Sequence, residues 1–175
     1  ITAHDSMHGN VSGNKRINNI IGWFASFLFA GLSYKKLLKN HQLHHKFPGS
    51  NEDPDFSFRF QNMFLWWMIF LSRYLTILQL LVMAAAFNAF KLISDESSII
   101  SFWVVPAFLS TFQLFYFGTY HPHMRPHLDE MKPHNARTQN KNHLWAMLSC
   151  YFFGYHNEHH HSPGTPWWRM YKLKG

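Results

Sequence analysis

The sequence predicts an all-α fold, an integral membrane helical bundle with a histidine-rich site on its cytoplasmic face. Three observations predict it. Two apolar runs of 20 residues are joined by a short acidic link. Phe, Trp and Tyr make up 18% of the chain, and Trp and Tyr favour the headgroup level of a bilayer. The 14 His outnumber the 9 Asp plus Glu, far from average usage.

The 175 residues suffice for one domain. A mean hydropathy of −0.21 excludes a plain bundle of spanning helices, so much of the chain sits in water or at the interface. The net charge of +7 fits nucleic acid or an anionic membrane surface. The basic residues flank apolar segments, as in Lys15–Arg16, Lys35–Lys36 and Lys39. That placement favours membrane topology, and no nucleic-acid partner is expected. Cys150 is the single cysteine, so there is no internal disulfide. The chain begins Ile1-Thr2-Ala3-His4, and a histidine cluster on a free end would be poorly held. We therefore expect a fragment that lacks N-terminal membrane helices.

In chain order, Ile17 to Tyr34 is 18 apolar-rich residues, the lower limit for a span. Met63 to Leu71 is too short to span, and its Trp pair predicts an interfacial segment. Tyr74 to Ile93 and Ile99 to Gly118 are each 20 residues long, with no charge except Lys91. They read as a spanning hairpin over about 74–118, closed by Ser94-Asp95-Glu96-Ser97-Ser98. Nearly all Lys and Arg lie outside it, which places the acidic link on the non-cytoplasmic side and the histidines on the cytoplasmic side. The competing reading is a soluble hairpin with an apolar core. Residues 47–58 and 121–142, punctuated by proline, read as irregular.

The histidines carry the chemistry. His4 and His8 are spaced i, i+4; His41, His44 and His45 are spaced i, i+3, i+4, and His156, His159 and His160 repeat that pattern. On helices each set shares one face. Imidazole suits Zn, Cu, Fe and Ni, but eight clustered rings exceed what one tetrahedral zinc uses. The H-E-x-x-H arrangement of zinc peptidases is absent. Two metals with open positions fit better. Asp5, Asp53, Asp55 and Glu158 could orient the rings and offset metal charge. His121, His127, His143 and His161 read as structural or solvated, while His123 and His134 stay open between the two roles. If the first and second clusters share a site, Ile17–Tyr34 cannot cross the membrane and must lie in the interface or re-enter.

The order H-x-x-x-H, H-x-x-H-H, H-x-x-H-H around a membrane hairpin resembles the membrane fatty acid desaturase/hydroxylase superfamily. The strings Asp53-Pro54-Asp55-Phe56, Phe117-Gly118-Thr119-Tyr120-His121-Pro122-His123, His134-Asn135-Ala136-Arg137 and Pro166-Trp167-Trp168 most resemble the bacterial-type β-carotene ketolases. The resemblance covers essentially the whole chain. It implies a non-haem di-iron oxygenase that uses O2 to hydroxylate C4 of a carotenoid β-ionone ring twice, giving a ketone. A ferredoxin or a reductase would supply electrons. It also implies a ninth ligand, at His123, beside His4, His8, His41, His44, His45, His156, His159 and His160, with His134 as a possible outer partner. His121, His161 and Ser162 depart from the family pattern, and His121 or His134 could compete with His123. Two other readings stand beside it. One is an acyl desaturase or hydroxylase, or a carotenoid hydroxylase, of the same superfamily. The other is a non-catalytic membrane metal-binding protein.

Overall fold

The computed structural model describes residues 1–174. Helix α1 (Thr2–Met7) is followed by α2 (Lys15–Ala30) and α3 (Tyr34–Lys46). Helices α4 (Met63–Tyr74) and α5 (Ile77–Phe90) precede a long helix, α6 (Glu96–His123). Two short helices, α7 (His143–Cys150) and α8 (His156–His161), and a terminal 3-10 segment at Trp167–Lys172 complete the chain. No strand occurs among the described residues.

Local chemistry sets the boundaries. The side chains of Asn14, Ser33, Asn62, Thr76 and Asn142 each accept from a first-turn N–H of α2, α3, α4, α5 and α7, satisfying donors that a helix start leaves open. Helix α2 stops at Gly31, which takes φ 63°, a left-handed value that costs glycine nothing. The chain then folds back. The Tyr34 ring lies against Gly22, where an added Cβ would fall 2.3 Å from the ring. Helices α2 and α3 thus form a tight hairpin, and the segment between the first two histidine clusters returns to its starting side. At 16 residues, α2 is shorter than the roughly 20 that a span requires.

The second half is built around α6, 28 residues of continuous helix with two π-type stretches, Ile100–Val104 and Tyr116–Tyr120. Pro106 and Pro122 explain both. Each proline lacks an N–H and crowds the carbonyl four residues back, and a locally wider turn relieves that clash. Helices α5 and α6 pack as a hairpin, with Phe90 edge-on to Trp103 at 5.0 Å and Lys91 bridging Glu96 at 3.0 Å across the link. Its first arm differs from expectation. The run from Tyr74 is interrupted where Thr76 caps a new helix, leaving α5 only 14 residues, or about 21 Å. Helix α4 continues to Tyr74 and meets α5 at 94°. Among the described residues, one helix is therefore long and apolar enough to cross a membrane, or two if the bent pair counts as one span.

The buried interior is small. Phe56, Trp66 and Phe115 form one apolar cluster, and Ala146, Phe152, Tyr155 and Met170 form another. Much of the remaining buried material is histidine. The apolar helices turn their hydrophobic side chains outward. Helix α2 buries Asn18, Gly22 and Ser26 while Trp23, Phe24 and Leu28 are exposed. The most apolar stretch of α6 is only 11% buried. That is the wrong way round for a soluble core hairpin and the right way for lipid-facing helices with small residues at their contacts.

Candidate metal centre

Four elements bring the histidines together. His4 and His8 lie on α1 and its C-terminal cap, His41, His44 and His45 on the last turns of α3, His123 at the end of α6, and His156, His159 and His160 on α8. They sort into two groups whose ring nitrogens lie within 4.8 Å of one another, His4, His8, His41, His45 and His159 in one and His44, His123, His156 and His160 in the other.

The sorting follows from helix geometry. Residues four apart project in nearly the same direction, and a residue three along is rotated away from its successor by about 100°. His41 and His45 therefore enter the first group while His44 enters the second. On α8 the same spacing is used in reverse, with His156 and His160 in the second group and His159 in the first. Each H-x-x-H-H string thus bridges the two groups. Close approaches confirm the convergence: His8 Nε2 is 2.6 Å from His41 Nε2, His159 Nε2 is 3.1 and 3.0 Å from those of His4 and His45, and His160 Nε2 is 3.1 Å from that of His156.

The outer partners of these rings show what the groups fit. His44 Nδ1 donates to both oxygens of Asp53 at 3.0 Å. His123 Nδ1 donates to the Asn135 carbonyl at 3.0 Å. With those protons assigned, both Nε2 atoms are bare lone pairs. His44 Nε2 lies 3.4 Å from His156 Nε2 and 3.2 Å from His160 Nε2, and His123 Nε2 is buried with no protein partner. Converging lone pairs repel, and a cation at their focus removes the conflict. An all-imidazole donor set suits iron and other first-row metals, and the Asp53–His44 and Asn135–His123 pairs are the outer contacts that fix ligand tautomer and orientation.

Burial keeps the rings in the lone-pair form. It pushes His4, His41, His156, His159 and His160 well below the ordinary histidine range, and His8 down to about 4. His44 behaves oppositely. Burial lowers it too, but the charge and hydrogen bond of Asp53 outweigh burial and raise it.

The loop after α3 is irregular, as expected, yet pinned. Asp53 also accepts from the N–H groups of Gly49 at 2.9 Å and Asp55 at 2.8 Å. Asp55 does not bond a histidine; its carboxylate accepts from the Tyr74 hydroxyl and its carbonyl from Trp66 Nε1 at 2.8 Å. Asp5 Oδ1 is 3.6 Å from His4 Nδ1, and its other oxygen accepts from Trp167 N at 3.1 Å. His134 stacks on His160 at 5.3 Å. Glu158 has a buried oxygen without a partner and bonds none of the rings. His121 stands outside both groups, packed near Tyr116. His127 donates to the His123 carbonyl, His161 to the Asn157 carbonyl, and His143 shares a hydrogen bond with the Tyr155 hydroxyl.

Three contributors had no signal in the spacing of the histidines. Phe153 lies edge-on to His4 at 4.6 Å and packs beside His156 and His159. Gly118 makes room for it, since a Cβ there would fall 2.5 Å from the Phe153 ring. Asn135, at φ 47°, aims its carbonyl at His123. Asparagine is among the few non-glycine residues that adopt this conformation readily.

Both groups open on one chamber of about 110 Å3. His4, His41, His44 and His156 line it together with Leu37, Phe70, Leu114 and Phe153.

This geometry defines a class, a helical protein with two adjoining all-histidine groups that could hold metal ions beneath a largely apolar chamber. Comparison with known proteins narrows it. The model of the family described as fatty acid desaturase matches residues 1–98 and 67–174. The beta-carotene ketolase of Paracoccus sp. (strain PC1) is 40% identical over 173 residues, covering 97% of this chain and 71% of the relative. That of Paracoccus sp. (strain N81106 / MBIC 01143) is 36% identical with the same coverage. The zeaxanthin 4-ketolase of Chlamydomonas reinhardtii is 36% identical over 99% of this chain and 40% of the relative. The chain belongs to the fatty acid desaturase family. No solved structure matches it.

Proposed function

We propose that this protein is a membrane-bound di-iron oxygenase that converts C4 of a carotenoid β-ionone ring to a ketone. The carrying observation is the pair of histidine groups converging beneath an apolar chamber, and ketolase relatives identical at 36–40% support the substrate class. His4, His8, His41, His45 and His159 would hold one iron, and His44, His123, His156 and His160 the other. When bound, the irons supply the reduction and cleavage of O2.

The chain's own residues do the rest. Asp53 and Asn135 fix the tautomers of His44 and His123 so that lone pairs face inward. Phe70, Leu114 and Phe153 exclude water and hold an apolar ring. In each round one oxygen atom enters a C4–H bond and the other leaves as water, using two electrons and two protons from a ferredoxin or a reductase. Two rounds give a geminal diol, which loses water to the ketone. The exposed apolar faces of α2, α5 and α6 support membrane embedding, and the charge asymmetry supports a cytoplasmic face for the histidines.

Expression in a β-carotene-producing host tests this reading. Ketone at C4 on one ring and then on both is expected. New double bonds in lipid acyl chains would instead establish an acyl desaturase. Metal binding with no donor-dependent O2 consumption would establish a non-catalytic metal protein.

A further inference from the structure

A second cavity adjoins the chamber. It is a cleft of about 370 Å3 walled by α2, α4, α5 and α6, among them Leu32, Leu71, Met83, Trp103 and Phe108. Its surface is almost wholly apolar, and Tyr74 lines both it and the chamber. Neighbours extend the shared wall. Leu71 faces the cleft while Phe70 faces the chamber, and Thr111 faces the cleft one helical turn before Leu114 reaches the chamber.

Tyr74 is held in place. It is buried, its hydroxyl donates to the Asp55 carboxylate, and its ring packs on Phe70 at 4.9 Å. Arg73, beside it, clamps the Asp55 loop by donating to the carbonyls of Pro54 and Phe56. A fixed ring in the wall shared by two cavities can act as a gauge.

The sizes say what it measures. An apolar cavity of roughly 150 Å3 takes one benzene ring, so a chamber of about 110 Å3 admits only the leading edge of a substituted six-membered ring. The cleft is more than three times larger and suits an extended apolar chain.

We propose that Tyr74 is the specificity-determining residue of the centre. The cleft takes the polyene of the carotenoid, the chamber admits the leading edge of its end ring, and the Tyr74 ring in the shared wall sets how far that ring advances and which carbon faces the histidine groups. This rests on the carotenoid reading above. Burial of the ring against Phe70 holds the stop, so truncation changes register while loss of the hydroxyl alone leaves the stop in place.

The test uses the full-length protein in vesicles with β-carotene, and reads both product and binding. Tyr74→Ala should divert at least a tenth of oxygenation from C4 to neighbouring ring carbons, whereas Tyr74→Phe should keep C4. Ala107→Trp, which fills the cleft, should weaken binding at least tenfold, read as the circular dichroism that the achiral polyene acquires when bound. Leu109→Trp, on an outward face of α6, should leave that signal intact. Iron content and thermal melting report folding; if Tyr74→Ala does not fold, Tyr74→Leu and Ala107→Trp carry the test. All product at C4 from the truncated variant, or an unaltered dichroic signal in Ala107→Trp, overturns the proposal. So does lipid that fills the cleft and is not displaced by the polyene. If the wild type binds polyene and iron yet forms no ketone, the carotenoid-ketolase reading fails; a C4 ketone from the wild type with unchanged regiochemistry in Tyr74→Ala sinks the gauge alone.

Discussion

At the scale of residues, the centre depends on pairs rather than single rings. His44 belongs to one group through Nε2 and to Asp53 through Nδ1. His44→Ala should therefore abolish activity and lower iron content, and unchanged iron and turnover would refute its role. Asp53→Asn keeps the shape but replaces a charged acceptor. Outer partners of this kind are worth about 10–100-fold in metal affinity or activity, so a loss in that range is expected, measured by iron titration of the purified protein. Asp55→Asn is the contrast. Asp55 hydrogen-bonds Tyr74 and no histidine, so iron affinity should fall less than for Asp53→Asn.

At the scale of elements, Gly118 helps decide whether the histidine strings can meet. Gly118 sits in the second π-type stretch of α6, against Phe153. Gly118→Ala would put a methyl group 2.5 Å from that ring. Overpacking of this sort costs about 1–3 kcal/mol, and Phe153 would be driven toward His4 and His156. The variant should melt earlier and hold less iron, and pairing it with Phe153→Leu should restore both; no rescue would show that the Gly118–Phe153 contact is not the cause. Much at this scale was legible in the sequence. The i, i+3, i+4 strings give their own geometry once helical, and the hairpin turn at α2–α3 follows from requiring the first two clusters to meet. His123 was legible only through resemblance, because a lone histidine in a proline-rich stretch has no spacing to read. Asn135, Phe153 and Tyr74 act through contacts made across the fold, and no local pattern marks them. The length of α5 was overestimated because hydropathy runs straight through Leu75 and Thr76, whereas the Thr76 hydroxyl begins a new helix there.

At the scale of the whole molecule, the distribution of apolar surface argues for a bilayer. Ile77 is 79% exposed, Phe102 83% and Leu109 64%, and soluble proteins rarely leave large apolar surfaces facing water. If α6 crosses, the link at 94–98 and the histidine groups lie on opposite sides, and the excess of Lys and Arg beside the histidines orients the hairpin. Single cysteines test this directly, with native Cys150 buried and serving as a blank. Ser94 lies on the link and Glu52 on the loop beyond the second histidine string, and both are exposed. A membrane-impermeant maleimide applied to intact cells should label Ser94→Cys and spare Glu52→Cys until the membrane is opened. Equal labelling of both sites in intact cells would mean that α6 does not cross. Labelling of Glu52→Cys alone would invert the orientation and place the metal centre, with its need for an intracellular electron donor, on the wrong side for the proposed reaction.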